Sequence, residues 1–158
     1  MSGVARKASP VLRRATADDV PAITAIEELA FAHPAERFSA RKIRYLIVSP
    51  RTATLVAELN GGVVGWAAGF VLTRSPERWG RIYAVAVHPA ARGHKLGSLL
   101  MRELMAELQS GGARRFVLEV RPDNGAAIRL YQRLGFTGCV LLPDYYAPGL
   151  DARRMVRD

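Results

Sequence analysis

The sequence is poor in several residue types, and each shortage excludes something. Cys139 is its one cysteine in 158 residues. That rules out an internal disulfide framework and a cysteine-based metal site. A reducing cytoplasm is the default compartment. Cys139 itself reads either as a packed small hydrophobe or as a reactive thiol. His33, His88 and His94 are too scattered to suggest a metal site, so no metal is expected. No apolar run reaches the ~18 residues of a membrane span, and no membrane partner is expected. The first ten residues, MSGVARKASP, carry charge without an apolar core. They read as a mobile tail rather than a secretory leader. Zinc-finger spacing and aromatic-studded RNA-binding strands are missing, so direct nucleic-acid binding is not expected. Acids are also scarce: 14 against 23 Lys and Arg, a formal charge of +9. The excess has three readings: a solvated surface, a site for a polyanionic ligand, or a docking face for nucleic acid or ribosome.

What is present describes one folded domain over residues 11–158, with 49% hydrophobic and 23% charged residues. The stretch 85–98, VAVHPAARGHKLGS, organises it. An apolar strand over 82–87 is stopped by Pro89, which cannot donate to a ladder. A helix opening at Arg92 and Gly93 then carries Leu96, Leu100, Leu104 and Leu108 on one face, with Leu99 beside them. Gly93 and Gly97 fall in its first turn. Free N–H groups at a helix start, with glycines that permit close approach, make a pyrophosphate cradle to which Arg92 and Lys95 add charge. An ordinary strand-to-helix connection reads equally well from these residues alone. Neither GxGxxG nor GxxxxGK[ST] fits the turn.

Along the chain, a short strand over 11–15 precedes a helix from Thr16 to about Phe31, with Val20, Ile23, Ile26, Leu29 and Ala30 buried. Thr16 and Asp19 resemble a capping box. Ser39 caps a second helix over 40–48, flanked and faced by Arg37, Arg41, Lys42, Arg44 and Arg51 with no acid between. Such a basic stretch is either a solvated helix face or a wall of an acceptor site for an acidic or phosphorylated partner. Strands over 54–59 and 63–72 are joined by Asn60, Gly61 and Gly62, a hairpin signal. A loop over 74–78 leads to a strand over 80–87 whose unbroken apolar run implies burial on both faces. After the cradle helix come a strand over 116–120, a helix over 124–134 closed by Gly135, and strands over 136–142 and 152–156. Asp144, Tyr145 and Tyr146 form the aromatic loop between these last two. The order of elements indicates α/β with a mixed sheet.

The run 92–97 resembles the acetyl-CoA signature of the GCN5-related N-acetyltransferases, [R/Q]-x-x-G-x-[G/A], with Lys95 where the family has its central glycine. The segment LEVRPDNGAAIRLYQRLGF, 118–136, resembles the family's C-terminal half, with Asn124, Ala127, Tyr131, Gly135 and Phe136 in matching places. The following YYAPGLDARRM is similar to the tail of the ribosomal-protein-alanine N-acetyltransferases and related N-terminal acetyltransferases. The resemblance spans about 11–156. It implies the GNAT fold, a mixed and mostly antiparallel central sheet flanked by helices, with acetyl-CoA as co-substrate. It implies that Val85, Ala86 and Val87 run along the pantetheine arm, Val85 and Val87 pairing through their backbone. Arg92, Gly93, His94, Lys95, Leu96, Gly97 and Ser98 would hold the pyrophosphate, and Asn124 and Tyr131 would touch the cofactor. Glu119 is then the general base, Tyr131 the general acid, and Tyr145 and Tyr146 an aromatic wall of the acceptor pocket. The branch's Pro-Trp loop is replaced by His33, Pro34, Ala35, Glu36 and Arg37, which removes the opposite wall.

Acetyl transfer to an amine needs a neutral nucleophile and a protonated leaving thiolate, which a carboxylate and a phenol can supply. A backbone N–H on the cradle-side strand is a candidate oxyanion donor. Structural readings stand beside these roles: Glu119 as a strand-edge charge paired with Arg121, Tyr131 as a packed ring. The expected activity is transfer of acetyl to a primary amine, foremost a protein or peptide N-terminal α-amine, a ribosomal protein's included. Its rivals are a lysine or small-molecule acceptor, or a non-catalytic acetyl-CoA-binding or ribosome-docking module.

Overall fold

Among the described residues seven strands form one sheet in the order β1-β2-β3-β4-β5-β7-β6. The computed structural model describes residues 9–73 and 76–158. Most of the expected tail, residues 1–8, lies outside the described residues, as do Arg74, Ser75 and the Cys139 side chain. The elements are β1 Val11–Arg14, α1 Val20–Ala30, α2 Ala40–Val48, β2 Thr52–Leu59, β3 Gly62–Val71, β4 Trp79–Val87, α3 Leu96–Ser110, β5 Arg115–Val120, α4 Gly125–Arg133, β6 Thr137–Ala147 and β7 Leu150–Arg157. Every pairing is antiparallel except β4 with β5. This is the expected mixed α/β arrangement. Among the described residues no helix is long and apolar enough to cross a membrane.

The sheet buries both faces. Ile23, Ile26, Ile43 and Leu46 of α1 and α2 pack on Val56, Trp66 and Ala84. Leu96, Leu100, Leu104 and Leu108 of α3 pack on the other face with Phe116, Phe136 and Met155. Leu29 and Leu99 depart from the expected stripes, at 57% and 39% exposed. The place on the α1 stripe belongs to Glu27 instead, which is 1% exposed.

Local chemistry sets the element ends. The Asp19 carboxylate accepts the Thr16 N–H at 2.7 Å, and a 3-10 turn over Ala17–Asp19 delays α1 to Val20. Ser39 Oγ accepts the Lys42 N–H at 3.1 Å and starts α2. Asn60 and Gly61, at φ 52° and 80°, make the tight β2–β3 turn.

Two features of β4 open the sheet. Ala68 faces Ala84 while Gly69 faces Ile82, so Tyr83 is an extra, bulged residue. A bulge reverses the alternation of faces beyond it. Ile82 thus joins the α3 core, whereas Ala84 and Ala86 join the α1–α2 core. Moreover, β4 pairs with β5 only at Trp79, Gly80 and Arg81. From Ile82 onward the two strands diverge. Val85 and Val87 therefore stay half-buried rather than enclosed on both faces, which corrects the reading of that apolar run.

Candidate active site

The divergence of β4 and β5 leaves a cavity of about 260 Å³. Val85, Glu119, Asn124, Tyr131, Tyr145 and Tyr146 line it, together with Glu27, Glu36, Arg81 and Arg121. The expected catalytic pair, the aromatic wall and one strand residue are thus gathered in one place. Ala86, Val87 and residues 92–98 are not part of its lining; they continue from β4 to the start of α3.

That start lies later than the sequence suggested. A 3-10 turn over Pro89–Ala91 is followed by a loop, and α3 begins at Leu96. Gly93 at φ 93° and Lys95 at φ 57° are left-handed and cannot belong to a right-handed helix. Gly97 alone of the two glycines falls in the first turn. Lys95 occupies the N-cap position and makes no side-chain cap, whereas Ser39 and Asn124 cap α2 and α4. Leu96, Gly97 and Ser98 therefore keep N–H groups without helical partners. Leu99 N–H is the first to bond within the helix, to Lys95 O at 3.1 Å. No acid occupies this turn, and a Cβ added at Gly93 would meet open space. An uncapped helix start behind a left-handed loop carrying Arg92 and Lys95 fits a pyrophosphate. At Gly97 an added Cβ would come 3.0 Å from Leu130 Cδ2, so this start packs directly against α4.

Glu119 sits on β5 directly opposite Arg154 on β7. Its carboxylate takes Arg154 Nη2 at 3.1 Å and Arg81 Nη2 at 3.0 Å, and its side chain is 5% exposed. The expected partner Arg121 pairs instead with Glu36 and Asp123. Arg121 lies just past the end of β5 at Val120, where the chain turns and Asn124 N–H bonds Arg121 O, so its side chain leaves the strand's register and meets those two acids instead. Arg81 also donates to Tyr145 Oη at 3.0 Å, tying the aromatic wall to the carboxylate.

Tyr131 packs edge-on against Phe136 with ring centroids 6.1 Å apart. Burial pushes its phenol up to about 12, so it keeps its proton at neutral pH. Burial, with smaller contributions from Tyr145 and nearby carboxylates, also raises Tyr146. The Asn124 side chain accepts Ala127 N–H at 3.2 Å, so its carbonyl is committed to capping α4. Tyr145 and Tyr146 lie within the long strand β6, not in a loop. A register shift between Leu142 and Ala147 lets Asp144 adopt φ 55° and accept Gly149 N–H at 2.7 Å.

Sequence reasoning missed Glu27. Its carboxylate accepts Phe38 N–H at 2.9 Å and Trp66 Nε1–H at 3.2 Å, joining α1, the α1–α2 connection and β3. Lost hydration pushes it up to about 7, against the opposing pull of those two donors and Arg37. The signal was its spacing, four residues beyond Ile23 on the apolar stripe.

The acetyltransferase (GNAT) family profile matches residues 20–136. The chain is 37% identical to the N-alpha-acetyltransferase RimI of Mycobacterium tuberculosis over 71% of its own length and 70% of the relative's. Its fold is similar to the ribosomal-protein-S18-alanine N-acetyltransferase of Escherichia coli, with TM-score 0.80 and 27% identity over 94% and 93% of the two chains. It is also similar to yncA of Salmonella typhimurium, a structure with its cofactor acetyl-CoA, at TM-score 0.76 and 26% identity over 94% and 92%.

Proposed function

The chain belongs to the acetyltransferase (GNAT) family and is an acetyl-CoA-dependent N-acetyltransferase, and we propose that it acetylates the α-amine of a protein N-terminus. Acetyl-CoA supplies the acetyl thioester. The α3 start, with Arg92 and Lys95, holds its pyrophosphate. The edge of β4 beyond Arg81, which has lost β5 as a partner, offers backbone groups to the extended arm.

In this reading the amine enters between Tyr145, Tyr146 and Glu119. Glu119 takes the amine proton, directly or through water, and Tyr131 returns a proton to the sulfur as the thiolate leaves. Arg81 and Arg154 orient the carboxylate.

The observation that carries the choice of acceptor is the engagement of Glu119 by two guanidiniums. A base so occupied suits an amine that is already substantially neutral. An α-amine of pKa ~7.8 is roughly one-third neutral near pH 7.5, whereas a lysine of pKa ~10.4 is only about 0.1% neutral. Two of the similar proteins, the N-alpha-acetyltransferase RimI and the ribosomal-protein-S18-alanine N-acetyltransferase, support the same acceptor. The test is mass spectrometry of peptides bearing both a free α-amine and a lysine. Acetate is expected on the α-amine; acetate on lysine alone would reject the reading.

A further inference from the structure

A second, larger groove of about 1010 Å³ lies beside α2 and is lined by Arg14, Lys42, Tyr45, Arg51, Arg81 and Tyr83 among others. Arg81 and Tyr83 line the reaction cavity as well, so the two spaces share a wall. The groove carries a net positive charge, with Arg14, Lys42, Arg51 and Arg81 against Glu107. Residues 37–57 contain no Asp or Glu. Of the cations lining it, Lys42 and Arg51 form no ion pair among the described residues, whereas Arg81 is held by Glu119; Arg41 and Arg44, elsewhere on α2, form none either. The groove's acid, Glu107, is already held by Arg14 at 2.8 Å.

We propose that the acceptor polypeptide runs from the cavity past Tyr83 into this groove, which selects acidic residues downstream of the acetylated amine. The proposal rests on the α-amine reading above, because an N-terminal acceptor has one chain to dispose of and the groove is where the shared wall leads. Unpaired cations in a groove attract a segment of opposite charge and raise both its affinity and its encounter rate. A base-stacking nucleic acid is the poorer fit. Lys42 Nζ already lies 5.1 Å from the Tyr45 ring centre and 5.3 Å from that of Tyr83. Tyr83 is further packed edge-on by Phe38 and Phe70.

The test compares kcat/KM for two peptides with identical first three residues, one continuing with Asp and Glu and one with Ser and Gln. The acidic peptide should be favoured on the order of tenfold at low salt, with the ratio shrinking as salt screens the groove. Lys42→Glu with Arg51→Glu should bring the ratio to one or below. Lys42→Gln with Arg51→Gln gives an intermediate ratio and serves if the reversal fails to fold. Equal rates for both peptides, or a preference that survives both variants, would overturn the proposal. Competition by RNA without any dependence on peptide charge would overturn it in favour of a nucleic-acid face. If acetate appears on lysines only, the α-amine reading fails separately. The proposal then stands or falls on the same charge ratio measured with lysine acceptors.

Discussion

Glu27→Gln isolates a buried carboxylate to which no motif pointed. The side chain is 1% exposed, and burial raises its carboxyl from 4.5 to about 7. Between those values the folded protein binds a proton that the unfolded chain has lost, so this group's contribution falls as pH rises. The contribution is whole below pH 4.5 and gone above about 7. At about 1.4 kcal/mol per pH unit the swing is roughly 3 kcal/mol. Glutamine does not titrate. The stability difference between variant and parent must therefore slide by about that amount across the window, while the other carboxylates cancel in the comparison. At the acid end the variant should be the less stable by ~1–3 kcal/mol, because one amide oxygen cannot serve both Phe38 N–H and Trp66 Nε1–H. Toward pH 8 removal of the buried charge offsets that loss. Urea unfolding of both proteins at a series of pH values from 4.5 to 8 measures the slide. Parallel stability curves would refute the reasoning.

Gly97→Asp places a like charge, and a Cβ in contact with Leu130, at the α3 start. It should abolish the stabilisation by acetyl-CoA seen in thermal melts, about 2.7 kcal/mol at a hundredfold excess over Kd for the parent. Lys95→Gly relieves a left-handed residue, so the ligand-free melting temperature should rise by a few degrees, with acetyl-CoA binding kept. Glu119→Gln should depress kcat/KM most at low pH, where the amine is mainly protonated, and progressively less as pH rises. A deficit independent of pH would leave Glu119 with its arginine clamp alone.

The order of elements was legible because hydrophobic period and turn chemistry agree along most of the chain. Asn60 and Gly61 announce their hairpin, and Ser39 its cap. The family resemblance likewise pointed to residues that converge on one cavity: Glu119, Asn124, Tyr131, Tyr145 and Tyr146. What was not legible depends on long-range pairing. The separation of β4 from β5 beyond Arg81 and the bulge at Tyr83 arise from register against other strands, which no local pattern records. The start of α3 was placed too early because Lys95, unlike glycine, gives no hint of a left-handed backbone. Tyr145 and Tyr146 looked like a loop because Pro143 and Asp144 interrupt the strand pattern, yet the register shift there absorbs them. Glu27 escaped because a carboxylate on an apolar stripe is discounted when its two donors come from residues 11 and 39 positions away.

The central claim is that the opening between β4 and β5 is where acetyl moves, with Tyr131 as the proton donor. Tyr131→Phe removes the hydroxyl and keeps the ring that packs on Phe136. Measurement of kcat for this variant beside its Kd for acetyl-CoA tests the claim directly. The account predicts a fall in kcat of about 10²–10⁴ with cofactor affinity essentially unchanged. An unchanged kcat would contradict it, and the leaving thiolate would then take its proton from water.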